Sequence, residues 1–134
     1  MSKTIKTVET LIERAQANYE KTGKGVAKVN RRSVDGWDYT NELQEVYRVE
    51  TDGQSISLYH YGTLTAKVTN NHIEHIYGQS VSDADSVATF LNETAQQFGV
   101  VYNAGYRPSV NRFSVNKVDT NNNYKQTEIF ANAY

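Results

Sequence analysis

Between Leu43 and Gly99 the sequence alternates apolar and polar residues in four successive segments and then changes to a helical pattern. Alternation with a period of two places every second side chain on the same face of a β-strand. The predicted elements are the strands Leu43–Thr51, Gln54–Tyr61, Leu64–Thr69 and His72–Tyr77 and the helix Asp83–Phe98. Because strands joined by such short turns pair antiparallel with their neighbours, the stretch predicts a four-strand β-meander closed by a helix.

The first turn of this meander, Asp52-Gly53, is typical of a two-residue type I′ loop, in which both central residues have positive φ. Such a loop pairs Val49 with Ile56 and Tyr47 with Leu58, and all four of these residues then lie on one face. A shift of one residue would place them on opposite faces, so the turn and the hydrophobic pattern predict the same register.

The two later turns extend the apolar face. Asn70-Asn71 is predicted to form a two-residue loop, since Asn tolerates the left-handed conformation. Around Gly62 a three-residue loop is preferred, because it keeps one face apolar across all four strands. The predicted pairs are Ile56 with Val68, Leu58 with Ala66, His60 with Leu64, and Val68 with Ile73. The predicted core face is Tyr47, Val49, Ile56, Leu58, Leu64, Ala66, Val68, Ile73 and Tyr77.

Helical patterns flank the meander on both sides. Thr7–Thr22 carries apolar residues at helical spacing, with Thr7 as the predicted N-cap and Gly23 as the residue that ends the helix. Ser82 is the predicted N-cap of the second helix. The buried stripe of that helix is predicted to be Val87, Phe90, Leu91, Thr94 and Phe98.

The remaining segments complete an α+β domain. Val26–Val29 is predicted to be a short strand, Val100–Ser109 a loop, and Val110–Val118 and Tyr124–Phe130 the strands of a terminal hairpin. The predicted fold is therefore an antiparallel sheet with a central four-strand meander and two helices packed on one face. No segment has the composition of a linker, so residues 1–134 are expected to form a single domain.

Composition restricts the class of protein. The 134 residues include no cysteine, which excludes disulfides and thiol catalysis and favours a reducing compartment. No apolar run approaches the ~20 residues of a membrane span, and the N-terminus has no apolar secretory core. The formal net charge of −1 indicates no global attraction to nucleic acid. We therefore expect a protein of the cytoplasm.

The sequence predicts no enzyme, no cofactor and no metal site. It contains neither a Gly-x-Ser-x-Gly nucleophile motif nor a glycine-rich phosphate loop. His72 and His75 would point to opposite faces of a strand and so could not bind one ion together. His60 is expected at a sheet edge beside Glu45, and Asp83 is explained as a residue that favours the start of a helix.

Protein binding is the function that the residue pattern favours. The face of the meander opposite the core is predicted to carry Tyr59 and Tyr61, and tyrosine is enriched at interfaces. The segment after the second helix supplies Tyr106, Arg107 and Arg112, and Tyr and Arg lead among the residues that dominate binding energy. These five residues are the predicted partner-binding site, for a host protein or for a second copy of the chain. The other residues predicted for the outer meander face include Val46, Arg48, Lys67 and Ile76.

Two further features allow alternative interpretations. A cluster of positive residues is either solvated surface or a contact for the phosphates of a nucleic acid. This alternative nucleic-acid site consists of Lys24, Lys28, Arg31 and Arg32. Trp37, the only tryptophan, either covers one end of the core or anchors a partner.

The segments Tyr59–Thr63, Tyr77–Ser86 with the following Phe90-Leu91, and Tyr106–Ser109 form a further pattern. Together they resemble small proteins of phages and plasmids of Gram-positive bacteria. The resemblance implies an accessory protein of a mobile genetic element that is made inside the host cell. It also implies action by binding, and some proteins of that setting inhibit host defence nucleases such as CRISPR effectors. The resemblance supplies no catalytic or binding residue.

Overall fold

A computed structural model describes residues 3–32 and 43–133. These residues form two α-helices, eight β-strands and one short 3-10 helix. The helices are α1 (Lys3–Thr22) and α2 (Val81–Thr94), and the 3-10 helix is Pro108–Val110. The strands are β1 (Gly25–Arg32), β2 (Leu43–Thr51), β3 (Ser55–His60), β4 (Thr63–Thr69), β5 (His72–Ile76), β6 (Val100–Arg107), β7 (Arg112–Asp119) and β8 (Lys125–Ala133). The prediction for Trp37 concerns a residue outside the described ranges.

The strands form two antiparallel sheets. Strands β1 to β5 form one sheet in sequence order, and β6 to β8 form a second, three-stranded sheet. Both helices pack on the core face of the five-stranded sheet, α1 against β1 and β2 and α2 against β3 and β4. Helix α2 also packs against β6 and β7, so that it contacts both sheets. The α+β class and the placement of the helices are confirmed, whereas the sequence did not predict the second sheet.

Helix α1 packs through one apolar stripe. Its buried residues are Val8, Leu11, Ile12 and Ala15. The helix ends at Gly23, which has a φ of 77° and whose amide donates to the carbonyl of Tyr19 at 2.9 Å. This confirms the predicted C-terminus. The predicted N-cap, Thr7, lies inside the helix instead, because no proline or glycine interrupts the residues before it and helical bonding extends back to Lys3.

The β2–β3 hairpin has a register two residues away from the predicted one. Val49 pairs with Leu58 rather than with Ile56, and Tyr47 pairs with His60 rather than with Leu58. A shift of two residues leaves every side chain on its predicted face. The hydrophobic pattern therefore could not distinguish the two registers, and the one that forms brings His60 into the core beside Tyr47.

The side chain of Asp52 accounts for this register. Its carboxylate accepts hydrogen bonds from the amides of Gln54 and Ser55, at 3.0 and 2.8 Å. The Asp52 amide donates to the Ser55 carbonyl at 3.2 Å, which closes the loop around Gly53, whose φ is 91°. The two loop residues are therefore Gly53 and Gln54, and Asp52 belongs to the last pair of the hairpin. The backbone amides of Ser55 and Gln54 hold the pKa of the Asp52 carboxyl below its usual value.

The β3–β4 hairpin keeps the predicted apolar face but turns more tightly than predicted. The confirmed pairs are Ile56 with Val68 and Leu58 with Ala66. A β-bulge then shifts the pairing, and His60 lies opposite Thr63 rather than Leu64. The loop consists of Tyr61 and Gly62, with φ values of 48° and 79°. At this bulge one residue of β4 has no partner in β3, so the loop is one residue shorter than the predicted three-residue loop.

The β4–β5 hairpin begins as predicted and then departs from the prediction. The Asn70-Asn71 loop has φ values of 49° and 71° and pairs Val68 with Ile73. A bulge between Lys67 and Val68 then shifts the pairing, so that Ile76 is buried in the core cluster. The prediction that Ile76 faces outward is therefore wrong. Three residues of the predicted core face are only half-buried, namely Leu64, Ile73 and Tyr77.

Helix α2 begins and ends earlier than predicted. Ser80, rather than Ser82, is the N-cap, and its hydroxyl accepts a hydrogen bond from the Asp83 amide at 3.0 Å. Phe98 lies beyond the helix and is 95% exposed, so its predicted burial is wrong. The segment before it is held by Asn71, whose side-chain amide donates to the carbonyl of Gln96 at 2.7 Å. The buried residues of the predicted stripe are Val87, Phe90 and Leu91.

The three-stranded sheet packs on α2 through specific contacts. Val100–Arg107 is a strand, so the predicted loop is wrong, whereas β7 and β8 confirm the predicted terminal hairpin. The side chain of Asn92 donates to the Tyr102 carbonyl at 3.0 Å and accepts from the Tyr102 amide at 2.8 Å. The ring of Phe113 packs against Gly78, where a Cβ would lie 2.3 Å from the ring. These contacts attach β6 and β7 to the rest of the core.

The buried side chains form one continuous cluster among the described residues. This cluster includes members from α1, the five-stranded sheet, α2, β6 and β7. Phe90 of α2 and Phe113 of β7 are its largest fully buried members. Within the same described ranges, neither helix is both long enough and apolar enough to cross a membrane.

Candidate functional site

The outer face of the three-stranded sheet contains a groove of about 550 Å³. Tyr106, Arg107 and Arg112, three of the residues predicted to bind a partner, lie together in its lining. We call this surface the polar groove. The other polar residues of its lining are Asn103, Ser114, Asn116 and Glu128.

Strand pairing determines how these side chains are arranged. The β6–β7 ladder sets Gly105 opposite Ser114 and Arg107 opposite Arg112. Residues that lie directly opposite each other in an antiparallel pair project to the same face. A Cβ built on Gly105 would find no atom within 4 Å, so the groove is open at this position. A rigid ladder therefore holds the two arginines side by side, which the predicted loop would not have done.

The polar groove carries two guanidinium groups and one carboxylate. Arg112 donates from Nη2 to both carboxylate oxygens of Glu128, at 3.0 and 2.9 Å. Arg107 is exposed, and no carboxylate of the described residues forms an ion pair with it. Because an ion pair this exposed contributes little stability, Arg112 can exchange Glu128 for a carboxylate of a ligand. The groove thus offers one uncompensated positive charge and a second guanidinium that is easily released.

Tyr106 is also among the residues that border the polar groove, but it pairs with the buried Phe113, so its ring projects to the core face of the sheet rather than to the face of the two arginines. Its ring is half-buried and packs against the hydrophobic core. Its hydroxyl donates a hydrogen bond to Oδ1 of Asn111, the left-handed residue that ends the 3-10 helix. The core and Asn111 therefore hold the ring of Tyr106, which does not lie beside Arg107 and Arg112.

Tyr59 lies on a different surface, the outer face of the five-stranded sheet. The guanidinium of Arg48 lies 4.5 Å from the centroid of its ring, and Nε of Arg48 lies 3.8 Å from Oε2 of Glu50. Burial, together with the neighbouring Glu50 carboxylate, raises the pKa of the Tyr59 hydroxyl. Lys67 lies on this face as predicted, half-buried. Val46 packs against the core instead, because it is the extra residue of a β-bulge in β2 that interrupts the alternation.

Tyr61 does not share the outer face with Tyr59. It is the first residue of the β3–β4 turn, with a φ of 48°, and this turn ends the alternation of the strand. Its ring lies against His60, with 4.7 Å between the two ring centroids. Tyr61 is 47% exposed. The five predicted partner-binding residues are therefore distributed over three separate places rather than one.

His60 and Asp83 form a buried pair that the sequence did not predict. Nδ1 of His60 lies 2.6 Å from Oδ1 of Asp83, and the two side chains are 8% and 12% exposed. The ring of Tyr47 stacks on the imidazole with 4.4 Å between centroids and 8° between planes. The predicted contact between His60 and Glu45 is wrong, because the two-residue shift of the hairpin moves His60 opposite Tyr47.

Both oxygens of the Asp83 carboxylate accept hydrogen bonds. Oδ1 accepts from His60, and Oδ2 accepts from the backbone amide of Gln79 at 2.9 Å. Burial raises the pKa of this carboxyl, but the hydrogen bonds from His60 and Gln79 outweigh burial and hold the pKa below its usual value. Asp83 is therefore ionised at neutral pH, and the imidazole donates to it from Nδ1.

A signal for part of this arrangement was present in the sequence. Ser80 and Asp83 have the spacing of a capping box, in which the residue three positions after the N-cap reaches back toward the start of the helix. The Asp83 carboxylate reaches back in this way to the amide of Gln79. The spacing locates Asp83 at the helix start, but it gives no indication of His60, which arrives from another element.

The positive cluster is only partly described. Lys24 and Lys28 are exposed, and Lys28 lies in β1 opposite Arg48. The side chains of Arg31 and Arg32 lie outside what the structure describes, although their backbone belongs to β1. Binding of nucleic acid by this cluster therefore stays a prediction.

These elements define an α+β protein in which one helix contacts two antiparallel sheets. In residues 3–32 and 43–133, no three His, Asp or Glu side chains are grouped so that they could hold a metal ion. No protein-family model, no curated protein and no solved structure matches the chain. A proposal for its function therefore has to be argued from the chemistry of the surfaces described above.

Proposed function

We propose that this protein is a non-enzymatic binding protein of a mobile genetic element, which acts in the host cytoplasm by occluding a host protein. The polar groove is its contact surface. The observation that supports this proposal is the pairing of Arg107 with Arg112, which places two guanidinium groups on the groove face of the sheet. Tyr and Arg are the residue types that most often dominate the energy of protein interfaces.

The groove favours an acidic segment of the partner. A carboxylate can accept two parallel hydrogen bonds from one guanidinium group, which gives both affinity and orientation. Arg107 is available for such a contact, and Arg112 becomes available when Glu128 is displaced. The open position at Gly105 leaves space for the backbone of the partner between the two arginines and the rest of the groove.

The resemblance to phage and plasmid proteins is the reason for proposing a mobile-element protein that acts inside a host cell. This cellular setting also indicates the class of partner. A mobile element benefits from blocking a host defence nuclease, and a nuclease that binds nucleic acid through basic residues also carries the acidic residues that hold its metal ions. An acidic segment of such a nuclease is a ligand of the chemistry that the polar groove favours. Tyr59, stacked under Arg48 on the five-stranded sheet, is proposed as a separate secondary contact.

Three groove variants test the proposal. Gly105→Leu fills the groove at a position where the first added atom meets no neighbour, and Arg107→Ala and Arg112→Ala each remove a guanidinium. The wild-type protein first captures its partner from a lysate of a Gram-positive host. Each variant is then titrated against the purified partner by biolayer interferometry. We expect Kd to rise at least about tenfold for each arginine variant and binding to be lost for Gly105→Leu.

Matched control variants distinguish the loss of a binding contact in the groove from a general effect of a surface substitution. Arg14→Ala removes an exposed arginine of α1 and should leave Kd unchanged, and Tyr59→Ala measures the secondary contact. Unchanged Kd values for all three groove variants would show that the groove is not the contact surface. Inhibition is measured separately as DNA cleavage by a purified host nuclease. Full cleavage in the presence of excess wild-type protein would exclude that nuclease as the target.

A further inference from the structure

A second pocket, of about 360 Å³, lies where the β3–β4 turn meets the start of α2. None of the residues that line the polar groove lines this pocket. Its lining includes the buried pair His60 and Asp83 and the hydroxyl-bearing residues Tyr61, Ser80 and Ser82. We call it the His60 pocket, and its function is independent of the polar groove.

His60 is held with one nitrogen free for a ligand. Nδ1 is engaged by Asp83 at 2.6 Å, and the stacked ring of Tyr47 fixes the plane of the imidazole. The residue is only 8% exposed, yet Nε2 has no hydrogen-bond partner among the described residues. Nε2 is not among the fully buried unpaired polar atoms of the described residues, so this nitrogen is accessible although most of the side chain is buried. Because His60 lines the pocket, a molecule bound there is in reach of Nε2.

The start of α2 adds further donors to the same pocket. Val81 and Ser82 are the first two residues of this 14-residue helix, and their amides have no carbonyl partner within it. The N-cap hydroxyl of Ser80 accepts from the Asp83 amide and lies 3.2 Å from the hydroxyl of Ser82. Of the first two helical residues, Ser82 is the one that lines the pocket, and it is exposed. Free amides at a helix start favour an anion, because the helix dipole is positive there.

The negative charge of Asp83 does not exclude an anion from this pocket. Both of its carboxylate oxygens are occupied, one by His60 and one by the Gln79 amide, and its side chain is 12% exposed. The imidazole directs its other nitrogen, Nε2, away from this carboxylate, so that the anion contacts Nε2 and not the oxygens of Asp83. The helix amides and the Ser82 hydroxyl then provide the remaining hydrogen bonds that an oxyanion needs.

The geometry points to a binding site for the phosphate group of a small organic phosphate monoester in the His60 pocket. His60 donates to the phosphate from Nε2, together with the hydroxyl of Ser82 and the free amides of the first turn of α2. A volume of about 360 Å³ exceeds what a phosphate group fills, so there is room for the organic part of the monoester. The ring of Tyr61, which borders the pocket and is 47% exposed, is placed to cover that part.

The three histidines of the chain allow a direct test in the wild-type protein. Two-bond ¹H–¹⁵N spectra resolve the ring nitrogens of His60, His72 and His75 and give the protonation of each ring. The protein is titrated at about pH 6, where phosphate is anionic, with adenosine monophosphate, inorganic phosphate and adenosine at constant ionic strength. We expect a saturable shift of the His60 nitrogens alone. Adenosine monophosphate should bind at least about threefold more tightly than inorganic phosphate, and adenosine should give no shift.

Variants test which groups form the site. His60→Gln should abolish binding, while His75→Gln, on a histidine whose Nε2 lies 3.1 Å from the Leu64 carbonyl, should leave it unchanged. Because His60→Gln affects the core, Ser82→Ala provides a second test that spares the N-cap. Ser82→Ala should weaken phosphate binding at least about threefold, whereas Thr89→Ala, further along the helix, should not weaken it. Equal, non-saturating shifts of all three histidines, or undiminished binding by Ser82→Ala, would overturn the proposal.

Discussion

His60 and Asp83 are 23 residues apart in the chain, yet Nδ1 of the imidazole lies 2.6 Å from Oδ1 of the carboxylate. This contact connects the last residue of β3 to the first turn of α2. It therefore fixes the start of the helix against the five-stranded sheet. Because both side chains are largely buried, removal of either one leaves the other without its partner in a poorly hydrated place.

Acidification should lower the free energy of unfolding because the carboxylate of Asp83 becomes protonated. The pKa of Asp83 is lower in the folded protein than in the unfolded chain, so the unfolded chain takes up the proton first on acidification. The stabilisation is fully present above about pH 4 to 5 and is lost as pH falls through the folded-state pKa. We expect Asp83→Asn to lower the free energy of unfolding at pH 7 by about 2–4 kcal/mol and to flatten its acid dependence. Urea unfolding at several pH values measures both effects.

Asp85→Asn is the control for this prediction. Asp85 is an exposed carboxylate two residues further along the same helix. Its replacement should leave the free energy of unfolding within about 0.5 kcal/mol of wild type and should retain the acid dependence. An Asp83→Asn protein that loses stability on acidification as steeply as wild type would contradict the assignment to Asp83.

Capping of α2 should depend on Ser80 and not on Ser82. The Ser80 hydroxyl accepts the Asp83 amide at 3.0 Å, whereas the hydroxyl of Ser82 lies 3.2 Å from that of Ser80. We expect Ser80→Ala to lower the free energy of unfolding by about 1 kcal/mol and Ser82→Ala to lower it by less than about 0.5 kcal/mol. Thermal or urea unfolding compares the two variants. The reverse order would place the N-cap where the sequence pattern alone had placed it.

Replacement of the two phenylalanines of the predicted helical stripe should change the free energy of unfolding to very different extents. Phe90 is fully buried, and Phe98 is 95% exposed beyond the end of the helix. Phe90→Ala should lower the free energy of unfolding by about 3–5 kcal/mol through lost burial and a cavity, and Phe98→Ala should change it by less than about 0.5 kcal/mol. Urea midpoints at neutral pH measure both. A large loss for Phe98→Ala would show that Phe98 packs against the core.

The packing of β7 against the segment between β5 and α2 should be sensitive to one methyl group. A Cβ at Gly78 would lie 2.3 Å from Cε2 of Phe113, in the ring that packs there. We expect Gly78→Ala to lower the free energy of unfolding by at least about 1–3 kcal/mol, because the buried ring has to move. Gly105→Ala is the matched control, since a Cβ there meets no atom within 4 Å. Equal melting temperatures for the two variants would argue against this packing of Phe113.

Local chemistry determines the turns and the sides of the strands. The Asn70-Asn71 loop forms as predicted because Asn accepts positive φ, and both residues adopt it. Alternation then assigns Val49, Leu58 and Val68 to the buried face, and all three are buried. These properties depend only on residues that are neighbours in the chain.

Strand β6 shows where local chemistry is insufficient. The segment Val100–Ser109, which contains Pro108, the only proline of the chain, was predicted to be a loop. Asn103 and Gly105 are residue types common in loops. Their side of the strand faces the polar groove, while Tyr102 on the other side is buried against α2. Pairing with β7 and the hydrogen bonds from Asn92 make the segment a strand, and neither is visible from composition.

The sequence by itself determined the α+β class, both helices, the four-strand meander and most of its buried face. Only the tertiary structure decided that His60 meets Asp83 and that Arg107 lies beside Arg112. The physical reason is that a period-two pattern looks the same after a shift of two residues. Hydrogen bonds in one hairpin loop selected the register that buries His60, and packing on α2 created the sheet that carries the groove.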